Sequence, residues 1–372
     1  LIGKVSNDKN IVLNNDNENI EINLEELISE WEEPLKKVFP TKVENENKTA
    51  DISQPNSDNS AMYFENSDKI NRTSNNVLND GKNYSKFQNK DYSIYISSAY
   101  INNNEKFGKP RIFIPVFPGT NCEYDLERIF NKEGGTAEIG VFNNLSYEKI
   151  LGSIDDFVKR INNTQILMFP GGFSSGDEPD GSAKFIVAVL KNKKIMEAVH
   201  KFLERDGLIL GICNGFQALI KSGLLPYGEI RELDDNSPTL TYNSINKHMA
   251  KMVRTKIITD NSPWLAGMEV GEIHTLPMSH GEGRVVITEE EYKKLYANNQ
   301  IATKYVDFEG NPSMETEFNP NGSYYAIEGM LAYNGRIFGK MAHSERMGKN
   351  LYKNIYGNKE QNIFRNGIKF FL

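Results

Sequence analysis

The chain has 372 residues, which is enough for two or three domains and for one large core. Its net charge of -7, without a basic block, argues against nucleic acid or an anionic membrane as its main partner. No apolar run reaches the roughly 18 to 20 residues that a membrane span needs. The two cysteines, Cys122 and Cys213, are too few for a disulfide framework and favour a reducing compartment. We therefore expect a soluble, cytoplasmic protein.

The first 106 residues divide into two parts. Residues 1–42 show two short alternating strands and then a helical pattern over 24–38, and the chain opens inside a strand pattern. This predicts the tail of an upstream domain in a longer polypeptide. Residues 43–106 are rich in Asn, Ser, Asp and Lys, a composition that cannot offset the entropy of ordering its backbone. We predict a flexible linker or insertion there, with one local strand at 92–96.

A regular alternation of strands and helices begins at about residue 107. Apolar strands are predicted at 111–117, 137–141, 166–169 and 207–210, and helices at 122–132, 146–161, 183–190 and 194–204. Such an alternation predicts right-handed crossovers and a mostly parallel sheet with helices on both faces. The loops after Phe117, Phe169 and Leu210 would then lie at the carboxyl edge of the sheet, where active sites form.

The part of the chain beyond Gly223 is richer in strands. They are predicted at 249–258, 273–278, 301–305, 324–334 and 336–341, with a tight hairpin turn at Asn334-Gly335 and helices near Leu351 and Gln361. We assign 107–372 to one α/β domain with a strand-rich C-terminal part.

A nucleophile is predicted at Cys213. It lies where a buried strand ends and a helix begins, with Gly211 and Gly215 on either side to permit a tight turn. Helix N-terminal amides favour a thiolate and point at any oxyanion formed beside it. The simpler alternative is a buried cysteine in a strand-to-helix turn.

A thiolate needs a base, and the base needs an acceptor that fixes its tautomer. His343 and Glu345 supply both within three residues, and in extended backbone residues two apart point to the same side. We predict that the imidazole of His343 lies about a hydrogen-bond length from the sulfur of Cys213. A surface histidine after a hairpin is the alternative for His343.

Two glycine-rich segments are predicted to bind substrate. Gly172 ends a strand in a Gly-Gly turn, and its amide, with that of Asn214, would form a two-donor oxyanion hole. The polar run 277–284 follows another strand, and such a loop is more often a binding loop than a core element. A zinc site of Cys213 and histidines is not expected, since no two ligands show the close spacing of one.

Together these segments resemble the class I glutamine amidotransferases, and most of all the glutaminase part of a purine-pathway ligase. Five motifs occur in the order of that family, at 117–122 (FPGTNC), 170–174 (PGGFS), 211–217 (GICNGFQ), 279–283 (SHGEG) and 343–346 (HSER). The resemblance covers about residue 110 to the end and implies a flavodoxin-like sheet. Residues 1–42 look like the tail of the synthetase half of the same long enzyme.

The resemblance implies roles for individual residues. Cys213 would attack the side-chain amide of glutamine, His343 would act as base and then acid, and Glu345 would orient His343. Gly172 and Asn214 would bind the oxyanion. The glutamine pocket would be lined by Gln217, Ser279, His280, Gly281 and Glu282.

The resemblance also implies a partner. Ammonia would pass to the synthetase half, where ATP and Mg²⁺ act on formylglycinamide ribonucleotide, so no cofactor or metal is expected in this domain. One departure is that the family commonly has proline on both sides of the catalytic histidine, where this chain has Ala342 and Ser344. The alternatives are a stand-alone cysteine hydrolase of the γ-glutamyl hydrolase type, the glutaminase subunit of another amidotransferase, and a non-catalytic partner domain.

Overall fold

The computed structural model describes residues 8–15, 18–33, 87–89, 92–94, 107–173 and 182–372. The chain forms two compact units, residues 1–50 and 51–372. Among the described residues, no helix combines the length and apolar character that crossing a membrane requires.

The first unit is a hairpin followed by a helix. Strands β1 (Asn10–Asn15) and β2 (Glu18–Asn23) pair antiparallel, and helix α1 (Leu24–Glu32) follows at once. The side chain of Asn23 caps α1, because its oxygen accepts the amides of Glu25 and Glu26. The two predicted strands and the start of the predicted helix are confirmed. The rest of that helix, beyond residue 33, lies outside the described residues.

The polar segment 43–106 is described at only two points. Strands β3 (Phe87–Asn89) and β4 (Tyr92–Ile94) pair antiparallel within it. The predicted strand at 92–96 is confirmed over three residues. The prediction of a flexible linker falls on residues outside the described ones.

The regular part of the second unit alternates as predicted up to residue 222. Its strands are β5 (Arg111–Val116), β6 (Thr136–Val141), β7 (Ile166–Phe169) and β8 (Leu208–Ile212). Its helices are α2 (Glu123–Lys132), α3 (Tyr147–Asn162), α4 (Lys184–Leu190), α5 (Lys193–Glu204) and α6 (Asn214–Ser222). A single helical turn, Leu224–Tyr227, follows.

The remaining elements are mostly strands. They are β9 (Thr239–Tyr242), β10 (Met249–Ile257), β11 (Ile273–His280), β12 (Glu282–Val286), β13 (Ile301–Tyr305), β14 (Ile327–Ala332) and β15 (Ile337–Lys340). The helices are α7 (Glu289–Ala297) and α8 (Ile363–Lys369), with short 3-10 turns at Pro263–Leu265 and Tyr324–Ala326.

One nine-stranded sheet organises this unit, in the order β11-β10-β13-β14-β15-β8-β7-β5-β6. The strands from β15 to β6 are parallel, and those from β15 to β11 are antiparallel. Strands β10, β11 and β13–β15 of the strand-rich C-terminal part therefore extend the α/β sheet, whereas β9 and β12 pair with each other in a separate two-stranded sheet. The turn Asn334-Gly335 joins β14 to β15 with positive φ at both residues, as predicted for a tight hairpin.

The core lies around the parallel strands. Every residue of β7 and β8 is buried, which is typical of parallel strands covered on both faces. Helix α3 packs on α5, α8 packs on α2, and α6 contacts β7, β8 and β15. The predicted α/β fold with helices around a mostly parallel sheet is confirmed.

Two local predictions were wrong. The polar run 277–284 is mostly strand rather than loop, because β10 pairs with residues up to His280 and β9 pairs from Glu282 onward. The helix predicted near Leu351 does not form. Asn350 and Tyr352 both have positive φ, which an α-helix does not accommodate.

Candidate active site

Cys213 occupies the sharp turn between β8 and α6. Its φ of 54° and ψ of -107° are unfavourable for a residue with a side chain. The turn is tight enough that a Cβ on Gly215 would lie 2.1 Å from the carbonyl oxygen of Phe169. The amide of Cys213 donates to the carbonyl of Lys340 at 2.9 Å, which extends the pairing of β8 with β15. Backbone contacts therefore fix the position of the thiol.

The thiol of Cys213 is buried, and its surroundings favour the protonated form. Burial raises the pKa of Cys213, and the neighbouring Cys122 and Glu345 raise it further, while the amide of Asn214 acts in the opposite direction. The sulfur lies 3.8 Å from the carbonyl oxygen of Ser279. A thiol in this environment needs a base to become a nucleophile.

His343 lies three residues beyond the end of β15, the parallel neighbour of β8. Its Nδ1 is 2.6 Å from Oε1 of Glu345, and both side chains are buried. Burial raises the pKa of Glu345, but its interactions with His343, with its own backbone amide and with Arg346 act in the opposite direction, and the net pKa is lowered from 4.5. Nε2 of His343 is buried and has no hydrogen-bond partner within the described part of the chain. This nitrogen can accept a proton when Nδ1 carries one.

A buried ion pair holds the backbone just before His343. Lys340 and Glu328, both fully buried, lie 3.2 Å apart. The ammonium of Lys340 donates to the carbonyl of Ala342 at 2.6 Å, and the amide of Ala342 donates to Glu328 at 2.8 Å. Thr303 donates to the second oxygen of Glu328 at 2.5 Å. The segment is thus fixed on both sides of Ala342 without the proline that the family commonly has there.

The backbone at and after His343 is tied as well. The amide of His343 donates to the carbonyl of Pro277 in β11 at 2.8 Å. The hydroxyl of Ser344 donates to the side chain of Gln361 at 2.6 Å. Hydrogen bonds therefore fix the residues on both sides of the imidazole.

The two parts of the site meet at Gly171. A Cβ added there would lie 2.9 Å from Cε1 of His343, 3.1 Å from Sγ of Cys122 and 3.5 Å from Cβ of Cys213. The structure thus brings together the loops after β5, β7 and β8 and the segment after β15, as the parallel sheet predicts. A hydrogen bond between His343 and Cys213 is absent at rest, since Nε2 has no partner among the described residues.

The proposed oxyanion donors come from the loop after β7 and from the start of α6. Gly172 has a φ of 128° and forms an antiparallel bridge with Thr120, so close that a Cβ would lie 2.6 Å from the carbonyl oxygen of Gly119. Asn214 is the first residue of α6, and its backbone amide lowers the pKa of Cys213. Their binding of an oxyanion stays a prediction.

Gln217 and Glu282 form a buried polar link. The Gln217 side chain accepts from the side-chain amide of Asn214 at 2.9 Å and donates to the backbone carbonyl of Glu282. The Glu282 carboxylate accepts from the hydroxyl of Ser182 at 2.7 Å and lies 3.6 Å from Lys221. The carboxylate of Glu282 therefore holds the start of α4, and the predicted role of both residues in glutamine binding stays a prediction.

The remaining predicted pocket residues differ in what they contact. The Ser279 hydroxyl lies 2.9 Å from Nε2 of His248, near the half-exposed Phe173. His280 is buried beside Asn243 at 3.1 Å, and burial lowers the pKa of His280 to about 3, so it stays neutral. Gly281 accepts the amide of Asn243 at 2.9 Å. Among these three, Ser279 is the residue in contact with the thiol.

Sequence reasoning missed two features of the site. Cys122 had no assigned function, yet its sulfur lies 4.0 Å from Nδ1 of His343. The motif 117–122 at the end of a parallel strand was the available signal. The pair of Glu328 and Lys340 gave no signal, because charged residues inside strand patterns are usually assigned to a solvent-exposed face.

Comparison with known proteins identifies the family of this chain. Residues 109–371 match the model of the CobB/CobQ-like glutamine amidotransferase domain. The chain is 35% identical over 264 residues to phosphoribosylformylglycinamidine synthase subunit PurQ of Methanococcus maripaludis, covering 69% of this chain and 90% of that protein. It is also 35% identical over 236 residues to the PurQ subunit of Sulfurimonas denitrificans, covering 63% of this chain and 90% of the relative.

A solved structure agrees with the sequence relatives. PurLQS from Thermotoga maritima matches with a TM-score of 0.52 and 26% identity, over 71% of this chain and 100% of the matched chain. The fold, the family model and the relatives all point to one kind of enzyme, a ligase with glutamine as its amido donor. The chain therefore belongs to the CobB/CobQ-like glutamine amidotransferases and is a glutaminase domain of the phosphoribosylformylglycinamidine synthase type.

Proposed function

We propose that Cys213, His343 and Glu345 hydrolyse glutamine, and that the ammonia is used to convert formylglycinamide ribonucleotide into its amidine. The observation that carries this proposal is the convergence of the Cys213 turn and the His343–Glu345 pair on Gly171. A nucleophile, a base and a residue that orients the base are the parts that acyl transfer requires.

The first half of the reaction begins with the protonated thiol of Cys213. Glutamine entering beside Gly171 brings its side-chain carbonyl to the sulfur, and Nε2 of His343 takes the thiol proton. The thiolate attacks the amide carbon, and the amides of Gly172 and Asn214 stabilise the oxyanion. His343 then gives its proton to the departing nitrogen. Ammonia leaves, and a γ-glutamyl thioester remains on Cys213.

The second half returns the enzyme to its starting state. His343 takes a proton from water, and the resulting hydroxide attacks the thioester carbon. The bond to the sulfur breaks, glutamate forms, and His343 returns the proton to the thiolate of Cys213. Glu345 acts throughout by accepting a hydrogen bond from the Nδ1–H group of His343 at 2.6 Å. This hydrogen bond keeps Nε2 available as the base and stabilises the imidazolium that forms in each half.

The ammonia acceptor belongs to a partner. ATP and Mg²⁺ activate formylglycinamide ribonucleotide in the synthetase, and this chain supplies nitrogen. The name of the relatives supports the pairing, since PurQ is described as a subunit of phosphoribosylformylglycinamidine synthase. Two statements stay predictions from the sequence. One is that residues 1–42 are the tail of that synthetase, and the other is that the protein is cytoplasmic.

Replacing Cys213 in the complete synthase tests the proposal. Cys213→Ala should lower the glutamine-dependent rate by at least about 10⁴-fold, because the nucleophile is lost. The ammonia-dependent rate should be unchanged. Cys122→Ser is the matched control, since it alters the other buried thiol of the site and should keep the glutamine-dependent rate. Loss of the ammonia-dependent reaction in Cys213→Ala would contradict separate glutaminase and synthetase sites.

A further inference from the structure

The proposed catalytic pair shares its pocket with a second thiol. Sγ of Cys122, a ring nitrogen of His343 and a carboxylate oxygen of Glu345 all lie within 4.8 Å of one another, and all three residues are buried. The sulfur is 4.0 Å from Nδ1 of His343. The proposed reaction does not use Cys122, so its position needs a separate explanation.

These three side chains match the ligand preferences of a metal ion that is intermediate between hard and soft, such as Zn²⁺. Thiolate, imidazole and carboxylate are the ligands that zinc binds in proteins. A tetrahedral zinc with bonds of about 2.0 to 2.3 Å separates its ligand atoms by roughly 3.3 to 3.8 Å. The distance from Cys122 to His343 is close to this range, and a small movement of Glu345 away from Nδ1 would complete the set.

An independent observation points to a missing ligand in the same place. Oε2 of Glu345 is buried and has no hydrogen-bond partner among the described residues. A buried carboxylate oxygen without a donor is unfavourable, and a bound cation would satisfy it. We propose that Cys122, His343 and Glu345 form a site for Zn²⁺ that blocks the glutaminase reversibly.

The charges in this buried site change when Zn²⁺ binds. Zn²⁺ displaces the proton of the Cys122 thiol into solvent, so the metal, the thiolate and the Glu345 carboxylate sum to zero, and Arg346 adds one positive charge beside the sulfur. The thiol now donates to Asn121 at 3.0 Å and accepts from Arg346 at 3.2 Å. The bond to Asn121 is lost with the proton. Arg346 can continue to donate to the metal-bound thiolate.

Metal binding would disable His343 through its tautomer. At rest Nδ1 carries the proton and bonds Glu345, which leaves the lone pair on Nε2. With Zn²⁺ on Nδ1, the proton of the neutral ring moves to Nε2, which can then no longer take a proton from Cys213. This inhibitory consequence rests on the proposed glutaminase function, whereas the binding itself does not.

The test measures metal binding and activity separately on the full chain. Zn²⁺ is titrated in buffer without thiols or chelators, with binding followed by calorimetry, and Co²⁺ serves as a spectroscopic substitute. Wild type should bind one metal and show a thiolate-to-cobalt charge-transfer band. Cys122→Ser should lose that band and bind Zn²⁺ at least about 10- to 100-fold more weakly. Cys122→Ala replaces the serine variant if thermal melting shows that the latter is unfolded.

The matched control is Cys213→Ser, which removes the other thiol and should keep the cobalt band. Zn²⁺ should stop glutamine hydrolysis by wild type, with full recovery on adding EDTA. The metal-free rate of Cys122→Ser should equal that of wild type, and its inhibition should require correspondingly more Zn²⁺. A band that survives in Cys122→Ser, or equal Zn²⁺ affinity in the two proteins, would overturn the site. If metal-free wild type hydrolyses no glutamine, the proposed function fails while the cobalt spectra still decide on the site.

Discussion

The two halves of the candidate active site are positioned by different means. Cys213 is held by backbone geometry, in a turn with φ of 54° whose neighbouring glycines allow β8, α6 and the strand β7 to approach closely. His343 is held by side chains, namely Glu345 and the buried pair of Glu328 and Lys340. Single side-chain changes should therefore disturb the histidine half far more than the cysteine half.

Among the residues that position the nucleophile and the base, the largest effect is expected when Glu345 is replaced. Glu345→Gln keeps the size of the side chain, but its amide can donate to Nδ1 and thereby move the proton of His343 to Nε2. We expect kcat for glutamine hydrolysis to fall by about 10² to 10⁴-fold with little change in KM, because the base is in the wrong tautomer. Steady-state glutaminase assays measure both constants. An unchanged kcat would show that Glu345 does not orient His343.

The Glu345→Gln variant should also change how the stability of the fold depends on pH. The pKa of Glu345 is lowered in the folded chain from its ordinary 4.5. Its ionised form therefore stabilises the fold above pH 4.5, and this contribution is lost as the pH falls through the lower, folded pKa. Glu345→Gln lacks the contribution, so its stability against urea should depend less on pH in that range than that of wild type.

A smaller effect is expected when the buried pair is broken. Lys340→Met leaves the carboxylate of Glu328 buried without its cation, which should destabilise the fold by about 3 to 5 kcal/mol. Because Ala342 also loses the donor to its carbonyl, kcat should fall while KM changes little. Urea unfolding and glutaminase assays at a temperature where the variant is folded measure the two effects.

A second buried lysine provides the control for that change. Lys304 is buried and donates to the hydroxyl of Tyr292 at 2.7 Å. Lys304→Met should alter stability without lowering kcat. Equal losses of kcat in the two variants would show that Lys340 acts only through general stability.

The difference between the two halves also explains what could be predicted from sequence. The Cys213 turn is a local feature, so the strand, the glycines and the helix that follows predict it within seven residues. The parallel sheet follows from the alternation of elements, and it predicts that the loops after β5, β7 and β8 meet. His343 and Glu345 could be paired because they are two residues apart.

The rest depends on contacts between distant residues. Glu328 and Lys340 meet across neighbouring antiparallel strands, and Thr303 joins them from a third strand. Cys122 reaches His343 over a separation of 221 residues. The run 277–284 became strand because β9 and β10 pair with it, a pairing that its own composition does not reveal. Such contacts follow from the tertiary fold, and of these features only Cys122 had a local signal, in the motif 117–122 at the end of a parallel strand.

The most direct test of the central claim is the location of the covalent intermediate. Full-length chain is mixed with isotopically labelled glutamine, quenched in acid within the turnover time and digested, and its two cysteine peptides are separated by mass spectrometry. We predict one glutamyl group on the Cys213 peptide and none on the Cys122 peptide, with no label in Cys213→Ala. A glutamyl group on Cys122, or equal labelling of Cys213→Ala, would contradict the assignment of Cys213 as the nucleophile.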